Sequence, residues 1–132
     1  MRVQQVVGRG LLAVVPTVLA LGAAVGTASA KDGDVKAAGR CSGGSVWKLK
    51  AGARDGGIET EFEVDSNVNG QVWSVRISDN GVQVFAGNRT TVAPSGSFSV
   101  GRRIADRAGS DSIRATAMNA RTGERCSGVV TV

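Results

Sequence analysis

The sequence predicts an all-β domain: seven antiparallel strands in two sheets packed face to face, with one disulfide between Cys41 and Cys126. Three observations carry this. From Ser45 onward apolar and polar residues alternate with the strand period of two, broken by Gly and Asn turns about every eight to twelve residues. No stretch sustains a helical apolar period, and 19 glycines with 2 prolines disfavour one. The 2 cysteines form an even pair in a chain that reads as exported, which favours a bridge over free thiols.

The strands follow in order. Residues 45–51 (SVWKLKA) place Trp47, Leu49 and Ala51 inward, with Lys48 and Lys50 outward. After the turn at 52–57, residues 58–64 place Ile58, Thr60, Phe62 and Val64 inward. Residues 72–78 do the same with Trp73, Val75 and Ile77. The Asp79-Asn80-Gly81 turn then leads into 82–86, because Asn and Gly tolerate positive φ. The fifth strand begins at 97–100 with Phe98 and Val100 inward, and the sixth spans 111–119 with Ile113, Ala115 and Ala117 on one face. The last covers 125–132. In an up-and-down arrangement of seven, the first and last strands run the same way. Cys41, just before the first, and Cys126, near the start of the last, then meet at one end.

Residues 1–30 read as an export signal. Arg2 and Arg9 open it, the apolar run Leu11–Val25 follows, and Ala28-Ser29-Ala30 supplies small residues for cleavage. The run is shorter than the roughly 20 apolar residues a spanning helix needs, so no membrane span is expected in the mature chain. Residues 31–40 are expected to be a flexible lead-in and 41–132 the folded domain. Secretion follows, near Ala30. The formal charge of +5 includes the two signal arginines, and the remainder is spread along the chain rather than gathered beside stacking aromatics. Nucleic acid is therefore not an expected partner.

Inward Trp73, the Asp-Asn-Gly hairpin after it and the RAGSDSIRATA approach (107–117) to the sixth strand resemble the immunoglobulin-like and fibronectin type III-like superfold. The likeness covers Cys41–Val132 and implies a seven-stranded immunoglobulin-like β-sandwich. The chain departs from the antibody type in having no cysteine on the second or sixth strand and no tyrosine at all. The whole pattern is also similar to small exported single-domain proteins of actinobacteria. Neither resemblance supplies a catalytic residue, and a shared superfold does not fix function.

The sharpest motif is Asp65–Gly70, DSNVNG. Asp65, Asn67, Asn69 and Gly70 fit positions 1, 3, 5 and 6 of a calcium loop, but Arg76 stands at position 12, where a bidentate glutamate belongs. The favoured reading is a turn, with weak calcium binding through Asp65, Asn67 and Asn69 as the alternative. Glu59, Glu61, Glu63 and Asp65 share one strand face, and the preceding strand offers Lys48 and Lys50 at the same spacing, which predicts cross-strand ion pairs.

With no histidine, the sequence holds neither a Ser-His-Asp nor a Cys-His arrangement, and no imidazole metal site. No enzyme activity and no cofactor are expected. The expected function is a secreted, monomeric binding or accessory module for a cell-envelope or secreted protein. Its recognition surface is the loops 65–70, 87–96 and 119–124 at the disulfide end, with Arg89, Arg121, Arg125 and Asn67 as candidate contacts. The alternative is a small-molecule carrier or inhibitor of the chromoprotein-apoprotein type. In that reading Ala115 and Ala117 leave a cavity; in the favoured one they let Trp47 and Trp73 pack close.

Overall fold

The computed structural model describes residues 33–132; the export signal read at 1–30 lies outside them. Eight strands follow one another: β1 Asp34–Arg40, β2 Val46–Arg54, β3 Gly57–Asp65, β4 Val72–Asp79, β5 Val82–Thr90, β6 Ser97–Ala105, β7 Ser112–Asn119 and β8 Arg125–Thr131. They form two four-stranded sheets, in the orders β1-β2-β3-β6 and β8-β7-β4-β5, with every neighbouring pair antiparallel. Among the described residues no helix is long and apolar enough to cross a membrane.

The alternation in the sequence becomes the two inner faces. Trp47, Leu49, Ala51, Ile58, Phe62, Val64, Trp73, Val75, Ile77, Phe98, Val100, Ile113, Ala115 and Ala117 are all buried, as expected. Removing that apolar surface from water is the main force holding the sheets together. Trp73 packs against Phe98 with ring centroids 6.3 Å apart. Trp47 lies across Gly39 of β1 and Gly128 of β8; a Cβ at position 39 would sit 2.9 Å from its ring, and one at 128 would enter it. Tight hairpins set the register. Asp55 and Gly56 between β2 and β3, and Asn80 and Gly81 between β4 and β5, all have positive φ, the two-residue turn whose twist matches the strands.

The strand count corrects the expected seven. The added strand is β1, in the segment read as a flexible lead-in, and it pairs along its whole length with β2 from Asp34↔Gly52 to Arg40↔Val46. Its inward positions, Val35, Ala37 and Gly39, are small and only half-buried, so they make little hydrophobic signal. The space they leave is filled by Trp47 from the neighbouring strand. Cys41 consequently follows a strand as well as preceding one, and the two cysteines still meet at one end.

Candidate functional site

The disulfide end is built from four connections: 41–45, 66–71, 91–96 and 120–124. Cys41 and Cys126 are bonded, with an S–S distance of 2.02 Å and a Cα–Cα distance of 4.3 Å. The bridge joins the end of β1 to the start of β8, the edge strands of opposite sheets. Backbone bonds reinforce it: Cys41 N–H donates to the Ser45 carbonyl at 2.7 Å and Ser42 N–H to the Arg125 carbonyl at 2.9 Å.

The Cys-Ser-Gly-Gly-Ser turn then closes around one carboxylate. Glu124 accepts from the N–H groups of Gly43 at 2.9 Å and Ser45 at 2.8 Å, and from the Ser45 hydroxyl at 3.0 Å. Gly44 takes φ +104°, a conformation that favours glycine. The serine- and glycine-rich stretch is thus a small nest of donors filled by the protein's own anion.

The DSNVNG segment forms the second loop as a turn. Asp65 Oδ1 accepts from Asn67 N–H at 2.9 Å, and Asn67 sits at φ +61° with Gly70 at +79°. This is the Asp-capped turn that residues of this type favour. Ser66 N–H donates to the Gly96 carbonyl at 2.9 Å, while the buried Thr91 hydroxyl donates to the Val68 carbonyl at 2.6 Å and accepts from Gln71 N–H at 2.9 Å. Loops two and three are therefore locked together. The cap engages one Asp65 oxygen, Arg76 lies on the outward face of β4, and among the described residues no three His, Cys, Asp or Glu side chains gather to hold a metal ion. In the fourth connection, Asn119 Oδ1 accepts from the N–H groups of Arg121 and Thr122 at 2.9 and 3.1 Å.

Between the turns lies an open cleft of about 700 Å³, lined by Ser42, Ser45, Asn67, Gln71, Thr122 and Glu124 among others. Four large apolar side chains at this end are exposed: Val46, Val68, Val72 and Val92. Of the candidate contacts, Asn67 lines the cleft and Arg121 stands exposed on the β7–β8 turn. The other two point elsewhere. Arg89 lies over the Phe85 ring at 5.0 Å, at the corner where β5 meets β6, and Arg102 approaches the same ring at 5.6 Å. Arg125 faces outward on β8. The three arginines do not share one surface.

The acidic ladder behaves as its spacing predicts. Lys48 stands opposite Glu63 and Lys50 opposite Glu61, the latter pair 3.7 Å apart, while Arg103 of β6 reaches Glu59 at 2.8 Å. These exposed pairs each add little stability, but they neutralise the face.

Sequence reasoning did not single out Glu124, or a pair of carboxylates at the far end of the sandwich. Asp79 closes β4 and Asp111 precedes β7; they are 0% and 1% exposed, and none of their four oxygens makes a hydrogen bond of good geometry. Arg107 Nε approaches Asp79 at 3.6 Å. Burial, and then the neighbouring Asp79, push the Asp111 carboxyl above its ordinary range, with Asp106 and the Arg107 backbone acting the other way. Both positions keep the inward phase of their strands, Trp73-Val75-Ile77-Asp79 and Asp111-Ile113-Ala115, which is the signal that could have found them.

No family model, no curated protein and no solved structure matches this chain.

Proposed function

We propose that the chain is a secreted, monomeric, non-enzymatic binding module that recognises a cell-envelope or secreted protein through the loops at its disulfide end. The observation that carries this is the grouping of exposed Val46, Val68, Val72 and Val92 at the one end where the turns also enclose a polar cleft. An apolar rim beside polar groups is the composition of a protein-recognition surface. The bridge, Glu124 and Thr91 fix the loops before any partner arrives, which lowers the ordering cost of association. A disulfide is consistent with an oxidising, extracellular setting.

The fold reading extends the same way. The order β8-β7-β4-β5 corresponds to the G-F-C-C′ sheet of immunoglobulin-like sandwiches, and β2-β3-β6 to A-B-E, with β1 as an addition at the edge. In that correspondence the loops 66–71 and 120–124 are those after the second and sixth strands of the superfold, grouped on a rigid scaffold.

The test is capture from culture supernatant and envelope extract with the immobilised protein. Val68→Asp with Val92→Asp is expected to weaken retention of the captured partner at least tenfold. Val82→Asp, which alters an exposed valine at the far hairpin, leaves it unchanged. Equal retention by the two variants would remove the loop end from consideration.

A further inference from the structure

The two outer faces of the sandwich are charged in different ways. On the β1-β2-β3-β6 face, Lys48, Lys50 and Arg103 stand against Glu63, Glu61 and Glu59. On the opposite sheet the single acidic residue in all four strands is Asp79, and it is buried inward. Its outward surface carries Arg76, Arg114 and Arg125, all exposed, among Ser74, Ser78, Asn88, Thr116, Met118 and Ser127.

The register sets these arginines around one residue. Thr116 stands between Arg76 of β4 and Ser127 of β8; Arg114 precedes it by two on β7, and Arg125 pairs with Met118, two beyond it. With strands about 4.8 Å apart and about 6.8 Å between same-face residues, the Cα atoms of Arg76 lie roughly 8 Å from those of Arg114 and roughly 12 Å from those of Arg125. A concavity of about 310 Å³ is lined by Ser74, Arg76, Thr116, Met118, Arg125 and Ser127. Among the described residues none of the three arginines forms an ion pair, and Arg114 makes one long bond, to the Ser127 hydroxyl at 3.4 Å.

Like charges on one sheet face repel. The other face also sets Lys36 opposite Lys50, but it mixes in Glu59, Glu61 and Glu63, two of which form ion pairs with Arg103 and Lys50, whereas the outward face of the β8-β7-β4-β5 sheet holds no acid at all. Guanidinium groups present rigid donor forks suited to planar oxyanions, and the hydroxyls between them can meet sugar oxygens. The outward face holds no aromatic ring on which a base could stack, which separates it from single-stranded nucleic-acid platforms.

We infer that the outer face of the β8-β7-β4-β5 sheet binds an anionic polysaccharide, with Arg76, Arg114 and Arg125 engaging successive acidic groups around Thr116. The site is independent of the loop end and does not rest on it. The test measures binding of the full chain to dextran sulfate and to polygalacturonate at about 0.1 M salt, with neutral dextran and single-stranded DNA alongside. At least one of the acidic polysaccharides binds the wild type, neutral dextran does not, and DNA of matched charge binds at least fivefold more weakly. For that polysaccharide, Arg76→Ser with Arg114→Ser and Arg125→Ser costs tenfold or more in affinity. Lys36→Ser with Lys48→Ser and Lys50→Ser, on the other face, costs less than threefold. Amide shift mapping on the unaltered protein checks the location without relying on a variant's folding: perturbations centre on 74–76, 114–118 and 125–127. No binding to either acidic polysaccharide, equal binding to DNA, equal loss in both triple variants, or shifts centred elsewhere would each overturn the assignment.

Discussion

A carboxyl group shut away from water without donors of good geometry is disfavoured in its charged form. Asp111 is in that position, facing Asp79 with only Arg107 nearby as a cation and Asp106 as a further acid. Its pKa in the folded state is raised above the unfolded value. The stability it contributes is therefore fully present below the ordinary aspartate range and is lost as pH rises through the raised value. Asp111→Asn removes that titration and supplies an amide donor to Asp79. The variant is expected to be more stable than wild type at pH 8 by about 1–3 kcal/mol, with the advantage shrinking toward pH 4. Urea unfolding across that range reads the difference; a variant less stable at pH 8 with an unchanged slope would contradict it. The alternation in the sequence already places both aspartates inward. Beside Asn80 and Gly81, however, Asp79 reads as turn chemistry, and nothing local shows that the two acids meet.

At the scale of elements, legibility followed hydrophobic contrast. The seven expected strands all form, and Lys48–Glu63 and Lys50–Glu61 face each other because alternation and a two-residue turn fix the register. β1 was hidden because Val35, Ala37 and Gly39 present little apolar area of their own. β5 runs on to Thr90, beyond the expected 86, and β6, expected only to begin at 97–100, continues to Ala105, through Gly, Asn and Arg positions that edge strands accept. Glu124 was invisible for a different reason: its partners lie 79 and 81 residues away, and no periodicity links them. Glu124→Ala leaves two backbone N–H groups and one hydroxyl without their acceptor. Because the site is only partly buried, water replaces some of these bonds, and the expected loss is about 1–2 kcal/mol. Amide exchange at Gly43 and Ser45 is expected to accelerate more than at core positions such as Phe62. Unchanged exchange there would mean the turn holds itself without the carboxylate.

For the molecule as a whole, the sandwich is open at two long corners, and they are closed by different means. Where β5 meets β6, Phe85 fills the gap under Arg89 and Arg102. Where β1 meets β8, the inward residues are small, Trp47 spans the gap, and the disulfide ties the end. That bridge links residues 85 apart, so its main effect falls on the unfolded chain, whose freedom it restricts. Replacing both cysteines by serine is expected to cost up to about 4–5 kcal/mol on the chain-entropy account. The folded shape is expected to persist, because the Cys41–Ser45 and Ser42–Arg125 backbone bonds and the Glu124 nest hold the same end. The measurement is urea unfolding of the double variant beside the oxidised wild type, together with amide fingerprints of both folded states. The midpoint falls and the slope rises, since the uncrosslinked chain exposes more surface, while fingerprint changes stay within 41–45 and 124–127. A loss under about 1 kcal/mol would mean that the unfolded chain is already compact without the bridge. Spread of the changes into β4 and β7 would mean that the bridge shapes the native sheets themselves.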